Sequence, residues 1–176
     1  MTSLISKLST LAIVLLMAVP CVSNAQDEQM QALIGQSLSK LQQETTPEAF
    51  LTCIAELQRI DAMYPDHVEP KFYLALQSLN YSVMNPQAEQ TEKLLAETEK
   101  TIGRLEELEG SDLSNICALK GFLYMVRIVQ DPMRNGQRYY LDVMQYYEKA
   151  LTLNPENALA KKLQQQFQEG MKKAGM

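Results

Sequence analysis

The stretch Tyr147-Glu148-Lys149-Ala150-Leu151-Thr152-Leu153-Asn154-Pro155-Glu156-Asn157-Ala158 decides the fold. Tyr147, Ala150 and Leu151 recur at helical spacing. Pro155 then stops the helix, because a proline disfavours the α conformation in the residue before it, and the apolar period resumes at Leu159. The segment reads as a helix end, a short turn and a helix start. The same frame stands upstream: Leu57-x-x-Ile60 precedes Pro65 at the spacing with which Tyr147-x-x-Ala150 precedes Pro155, and another helical pattern follows.

Working outward, Leu159, Leu163, Phe167 and Met171 stand at four-residue steps with Lys and Gln opposite, the one-sided pattern that closes a helical stack. On the other side, a helix ending at Leu153 carries Tyr139, Tyr140, Val143, Met144 and Tyr147, and Asp131-Pro132 with Asn135-Gly136 predicts a loop before it. The run from about Leu113 to Val129 is apolar nearly all round, which marks the central, most buried helix. Asn85-Pro86 reads as the cap and first-turn proline of a long helix, Pro86 to Glu109, stopped by Gly110; its many glutamates make it an outer helix with one solvated face. Val68 to Met84 is a further helix, through Phe72, Leu76 and Leu79. Thr46-Pro47-Glu48 supplies an N-cap hydroxyl, a first-turn proline and an acid favoured by the helix dipole, ahead of Phe50, Cys53, Ile54, Leu57 and Ile60 on one face. Asp27 to Gln43 carries the stripe Met30, Leu33, Ile34, Leu38 and Leu41. No segment alternates as a half-buried strand does, so the expected class is all-α with about seven helices.

Tyr147 to Ala158 resembles the end of the second helix of a tetratricopeptide repeat and the restart of the next, including its Ala and Pro. Leu74-Ala75 falls where that family carries a Leu-Gly pair, and Gly121-x-x-Tyr124 is similar to its Gly-x-x-Tyr, where a small residue lets helices approach closely. The resemblance implies an antiparallel helix-pair solenoid, a TPR-like right-handed superhelix built from two or three degenerate repeats. Three departures stand against it: the frames lie 90 residues apart, which is no multiple of about 34, the acidic helix is overlong, and Lys120 stands where the family expects Leu. In the family the first helix of each repeat lines a concave groove that holds a peptide or a partner's helix. That carry-over makes Phe72, Leu76, Leu79 and Asn80 from one repeat, and Phe122, Met125 and Val126 from the next, candidates for partner binding; ordinary core is the other reading of each apolar one.

A secretory leader is expected over residues 1–25: Lys7 precedes the apolar run Leu11 to Val19, and Ser23-Asn24-Ala25 offers a small-residue cleavage site. The remaining chain, 26–176, is one domain's worth and is expected in the periplasm. Cys21 does not read as a lipidation site, because Pro20 stands where a small residue is wanted. With net charge −5 and scattered basic residues, the chain repels phosphate backbones, so nucleic acid is not an expected partner. No second apolar run approaches the roughly 20 residues a membrane span needs. Cys53 and Cys117 have two readings, a disulfide that an oxidising compartment permits or two plain core thiols.

The sequence carries no pattern that supplies chemistry. His67 is the single histidine, the two cysteines lack metal-ligand spacing, and no phosphate loop, Gly-x-Ser-x-Gly or His-Glu-x-x-His occurs. A non-enzymatic scaffold that binds another protein or peptide, without cofactor or metal, is therefore the expected function. Its alternatives are a structural subunit acting through oligomerisation and a small-molecule binder. Lys120 and Arg127, seven residues apart, are basic interruptions of the central helix and lie on nearly one face. Either they pair with acids on a neighbouring helix or they face the groove and meet an acidic segment or a C-terminal carboxylate. Tyr139 and Tyr147 share a face with Val143 and Ala150 and read as core, Tyr140 as exposed; Arg127, Arg134 and Arg138 bracket the Asp131 loop, open to an acidic partner or to local acids.

Overall fold

The computed structural model describes residues 22–173, in which the three- and four-residue apolar spacing has become seven α-helices and no strand. They are α1 (Val22–Gln43), α2 (Pro47–Met63), α3 (Val68–Met84), α4 (Glu89–Glu107), α5 (Leu113–Gln130), α6 (Pro132–Leu153) and α7 (Ala158–Lys173). The Thr46 hydroxyl accepts from the Ala49 amide and Pro47 follows, so α2 starts where its cap dictates. The expected leader lies almost wholly outside the described residues; α1 begins at Val22 rather than at Asp27.

Three turns share one backbone pattern. The amides of Tyr64, Asn85 and Asn154 each donate to the carbonyl four residues back at 2.9 Å, and those of His67, Ala88 and Asn157 then donate to the three caps' own carbonyls at 3.2, 3.1 and 3.0 Å. Proline follows the cap in all three, where its fixed φ suits such a turn. Asn85-Pro86 therefore ends α3 instead of opening α4, and the Asn85 side-chain amide adds a bond to the Tyr81 carbonyl at 3.0 Å. Gly110 has φ +81°, the left-handed value the third position of the Leu108–Ser111 turn needs, but it lies beyond the helix end rather than at it.

The expected loop after α5 is absent. Asp131 alone separates α5 from α6: its carboxylate accepts from the Arg134 amide, Pro132 takes the first helical position, and α6 runs straight through Asn135-Gly136. The Asn135 side chain donates to the Arg127 carbonyl at 2.7 Å and so satisfies the end of α5 instead of making a turn.

Each helix packs on the next, and α3 also packs on α5 and α5 on α7. With α3, α4, α6 and α7 around it, α5 is the central helix, and Ala118, Leu119 and Val126 are fully buried. A leucine buried as Leu57, Leu79, Leu95 and Leu119 are contributes about 2 kcal/mol. The closest approach is between α5 and α6: a Cβ on Gly121 would sit 2.5 Å from Tyr147 Cε1, so only glycine lets the fully buried Tyr147 ring lie against α5.

Polar groups join the layers at two buried points. Asp61 of α2 meets Lys71 of α3 at 2.9 Å and Arg104 of α4 at 2.7 Å; Lys71, 2% exposed, also donates to the carbonyls of Pro65 and His67. Further along the chain the Asn157 amide donates to Ser114 Oγ at 2.8 Å and Asn115 Oδ1 at 2.9 Å, while its oxygen caps α7 at the Ala160 amide. Ser114 passes the chain on to the Ala150 carbonyl at 2.7 Å.

Candidate functional site

One face of α3, α5 and α7 forms a groove of about 810 Å³, to which Phe50 of α2 and Pro132 of α6 add edges. Four-residue spacing builds its walls. Leu76 and Asn80, with Val83 and Met84 one turn on, come from α3; Phe122, Met125, Ile128 and Val129 come from α5; Leu159, Leu163, Phe167 and Met171 come from α7. Phe122, Leu163 and Phe167 are nearly buried and act as the floor, whereas Met84 and Val129 are 52% and 39% exposed and form a lip. Charge enters from α7 alone, as Lys162, Glu169 and Lys173.

Of the residues singled out in the sequence, Leu76, Asn80, Phe122 and Met125 come together in this groove. Leu79 and Val126 are fully buried beneath it as core. Phe72 is not in the lining: it packs against the main core with its ring edge-on to Tyr73 at 5.4 Å. The sequence of α7 points only to the inner face of an end cap; its stripe does pack on α5 and α6, and continues past them into the groove.

Lys120 and Arg127 lie outside the groove. Their face of α5 meets α4, where Lys120 pairs with Glu106 at 2.7 Å and Arg127 holds both Glu92 oxygens at 2.6 and 2.7 Å. Burial works against the Lys120 charge, but the Glu106 carboxylate outweighs it and raises its pKa. The Arg127 hydrogen bond holds the Glu92 carboxyl below its ordinary range. Beside them Tyr124 stacks on Tyr146 at 5.7 Å and meets the tilted ring of Tyr139 at 5.2 Å, and Arg138 lies 4.9 Å over Tyr139. Tyr139 is accordingly half-buried, Tyr147 fully buried and Tyr140 38% exposed, leaning on Phe167. Arg134 spends its backbone amide on the Asp131 cap.

The expected alternative of a Cys53–Cys117 disulfide is not realised: both are free thiols, buried in separate apolar clusters on α2 and α5. Burial raises both, Cys53 to about 11, so each is a protonated, apolar group rather than a nucleophile. Among the described residues no three His, Cys, Asp or Glu side chains gather as metal ligands, and no helix is long and apolar enough to cross a membrane. His67 is instead joined to Asp27 at 3.0 Å, tying α1 to the α2–α3 turn. The groove is thus apolar surface bordered by two lysines and one glutamate of α7. Comparison with family models, with curated proteins and with solved structures finds no match for this chain.

Proposed function

We propose that the protein is an exported, periplasmic scaffold of tetratricopeptide-like solenoid build that holds a peptide or helix of a partner protein in the groove between α3, α5 and α7. The carrying observation is that groove: about 810 Å³ over an apolar floor, with an exposed methionine and valine at its lip. The repeat-like packing of α3 on α5 and α5 on α7 supports the solenoid reading, since inner helices of stacked pairs meet in that way. Cleavage after Ala25 is compatible with the fold, because Ala25 to Gln29 are exposed and burial starts at Met30.

The test is a cross-linking pull-down from the cell envelope with Met84→Glu and Val129→Glu combined. Loss of the partners recovered by the unmodified protein, with the melting temperature within about 2 °C, is the expected outcome, since exposed lip residues add little to folding. Unchanged recovery rejects the groove. Mass spectrometry of the N-terminus, expected at Gln26, checks export.

One observation favours a second reading, assembly of the chain with itself. Met133, Tyr140 and Leu141 are 95%, 38% and 65% exposed at helical spacing on α6. Light scattering that finds a dimer which dissociates on Leu141→Glu would move the function to that face.

A further inference from the structure

Resting on the groove reading, we infer that the occupant is an amphipathic helix of about 14 residues, lying along α7, with acidic side chains near both ends of one flank. Three features of the groove lead there. Its floor and walls are helices, whose backbone groups are bonded within themselves, so an extended peptide finds no edge on which to pair its own amides and carbonyls. A helix brings its backbone already satisfied and offers only side chains. Met84, Met125 and Met171 line the groove, and their flexible thioethers adapt to large apolar anchors.

Length comes next. On α7 the lining runs from Leu159 to Lys173, about 21 Å at 1.5 Å per residue, against about 10 Å for Phe122 to Val129 on α5. The long axis of the site therefore follows α7, and about 14 helical residues fill it.

Charge decides the flank. Lys162 and Lys173 are eleven residues apart, three helical turns, so they project in one row about 16 Å apart, with Glu169 between them in the same row. Among the described residues neither lysine has an ion-pair partner, whereas their neighbour Lys161 is held by Glu156 at 3.0 Å. Neither α3 nor α5 contributes a charge to the lining, and the whole chain is acidic at net −5. Two positive charges around one negative select a helix with carboxylates about eleven residues apart and none at the middle, where Glu169 would repel them.

Fluorescence anisotropy of the purified protein with two labelled synthetic helices tests this. Both carry Leu and Phe on one face; one bears Glu at two flank positions eleven residues apart, the other Lys. The Glu helix is expected to bind about tenfold tighter, the preference to shrink in high salt, and Lys162→Glu with Lys173→Glu to reverse it. Those lysines are exposed, so the variant folds and its melting curve confirms that. Equal binding of both helices, abolished by Met84→Glu with Val129→Glu, overturns the acidic flank and leaves the groove reading standing. Binding of neither helix overturns the helical occupant. If dodecanoate then saturates the groove, the site belongs to a small amphiphile. A dimer dispersed by the lip variant assigns the groove to a second copy, again against the proposal.

Discussion

The turns Tyr64–His67 and Asn154–Asn157 have the same backbone hydrogen bonds and the same proline, yet the helix pairs that follow are locked in opposite ways. After the first, a buried lysine, Lys71, reaches back to the turn carbonyls and to Asp61, with Arg104 of α4 completing an ionic junction. After the second, Asn157 joins α7 to α5 through neutral hydrogen bonds to Ser114 and Asn115. A proline turn sets where the chain reverses, and the side chains around it set what the junction depends on. The first junction is tied to charge balance, the second to hydrogen-bond geometry and close packing, because Tyr147, the counterpart of Leu57 in the shared frame, fits only over Gly121.

The largest effect should come from unbalancing the first junction. Asp61→Ala leaves the Lys71 ammonium buried without its carboxylate and is expected to cost about 3–5 kcal/mol in urea unfolding. Asp61→Leu with Lys71→Met removes both charges and should recover most of that loss. A double variant as unstable as the single one would mean that volume rather than charge holds this junction.

Gly121→Ala forces a methyl to 2.5 Å from the Tyr147 ring and is expected to cost about 1–3 kcal/mol, with the folded α6 displaced. Adding Tyr147→Leu should relieve the clash, and a double-mutant cycle that shows no coupling contradicts the close approach. Asn157→Ala loses the cap on Ala160 and the bonds to Ser114 and Asn115; about 2 kcal/mol is expected, unaffected by salt. A loss that varies with ionic strength would erase the contrast between the two turns.

The smallest effect concerns acid. Glu92 and Glu56 both have folded pKa values below the ordinary 4.5, Glu92 chiefly through Arg127 and Glu56 through Lys40. A depressed carboxyl adds stability that is present above its unfolded pKa and lost as pH falls through the folded one. Arg127→Met should therefore flatten the decline in stability below about pH 4.5, by less than about 1 kcal/mol because the Glu92 carboxylate is largely exposed to solvent. If that variant abolishes partner recovery while stability holds, Arg127 acts in binding and not as a tie to α4.

Legibility followed the range of the forces. The stripes of α1, α2 and α7 and the Thr46 cap were readable because a helix writes its own period and cap within one segment. Asn85-Pro86 and Asn135-Gly136 misled, since each has two local uses: Asn85 closes the helix before it, and Asn135 caps the neighbouring α5 from within α6. Leu76, Asn80 and Phe122 of the groove were visible through the repeat frame. The α7 wall was not, because a stripe shows that a face is apolar and not whether one neighbour covers all of it.

By itself, the sequence determined that the described residues are all-helical, where most helices start and stop, and that α5 lies at the centre, because propensity, capping and apolar period act over a few residues. Tertiary structure decided what those faces meet: that Lys71 is buried against Asp61 and Arg104, that Lys120 and Arg127 are taken up by α4, and that Lys162 and Lys173 stand over an apolar groove. The physical reason is that a charge or an apolar stripe acquires its role from partners tens of residues away in the chain, and only the packing of the helices brings those partners within reach.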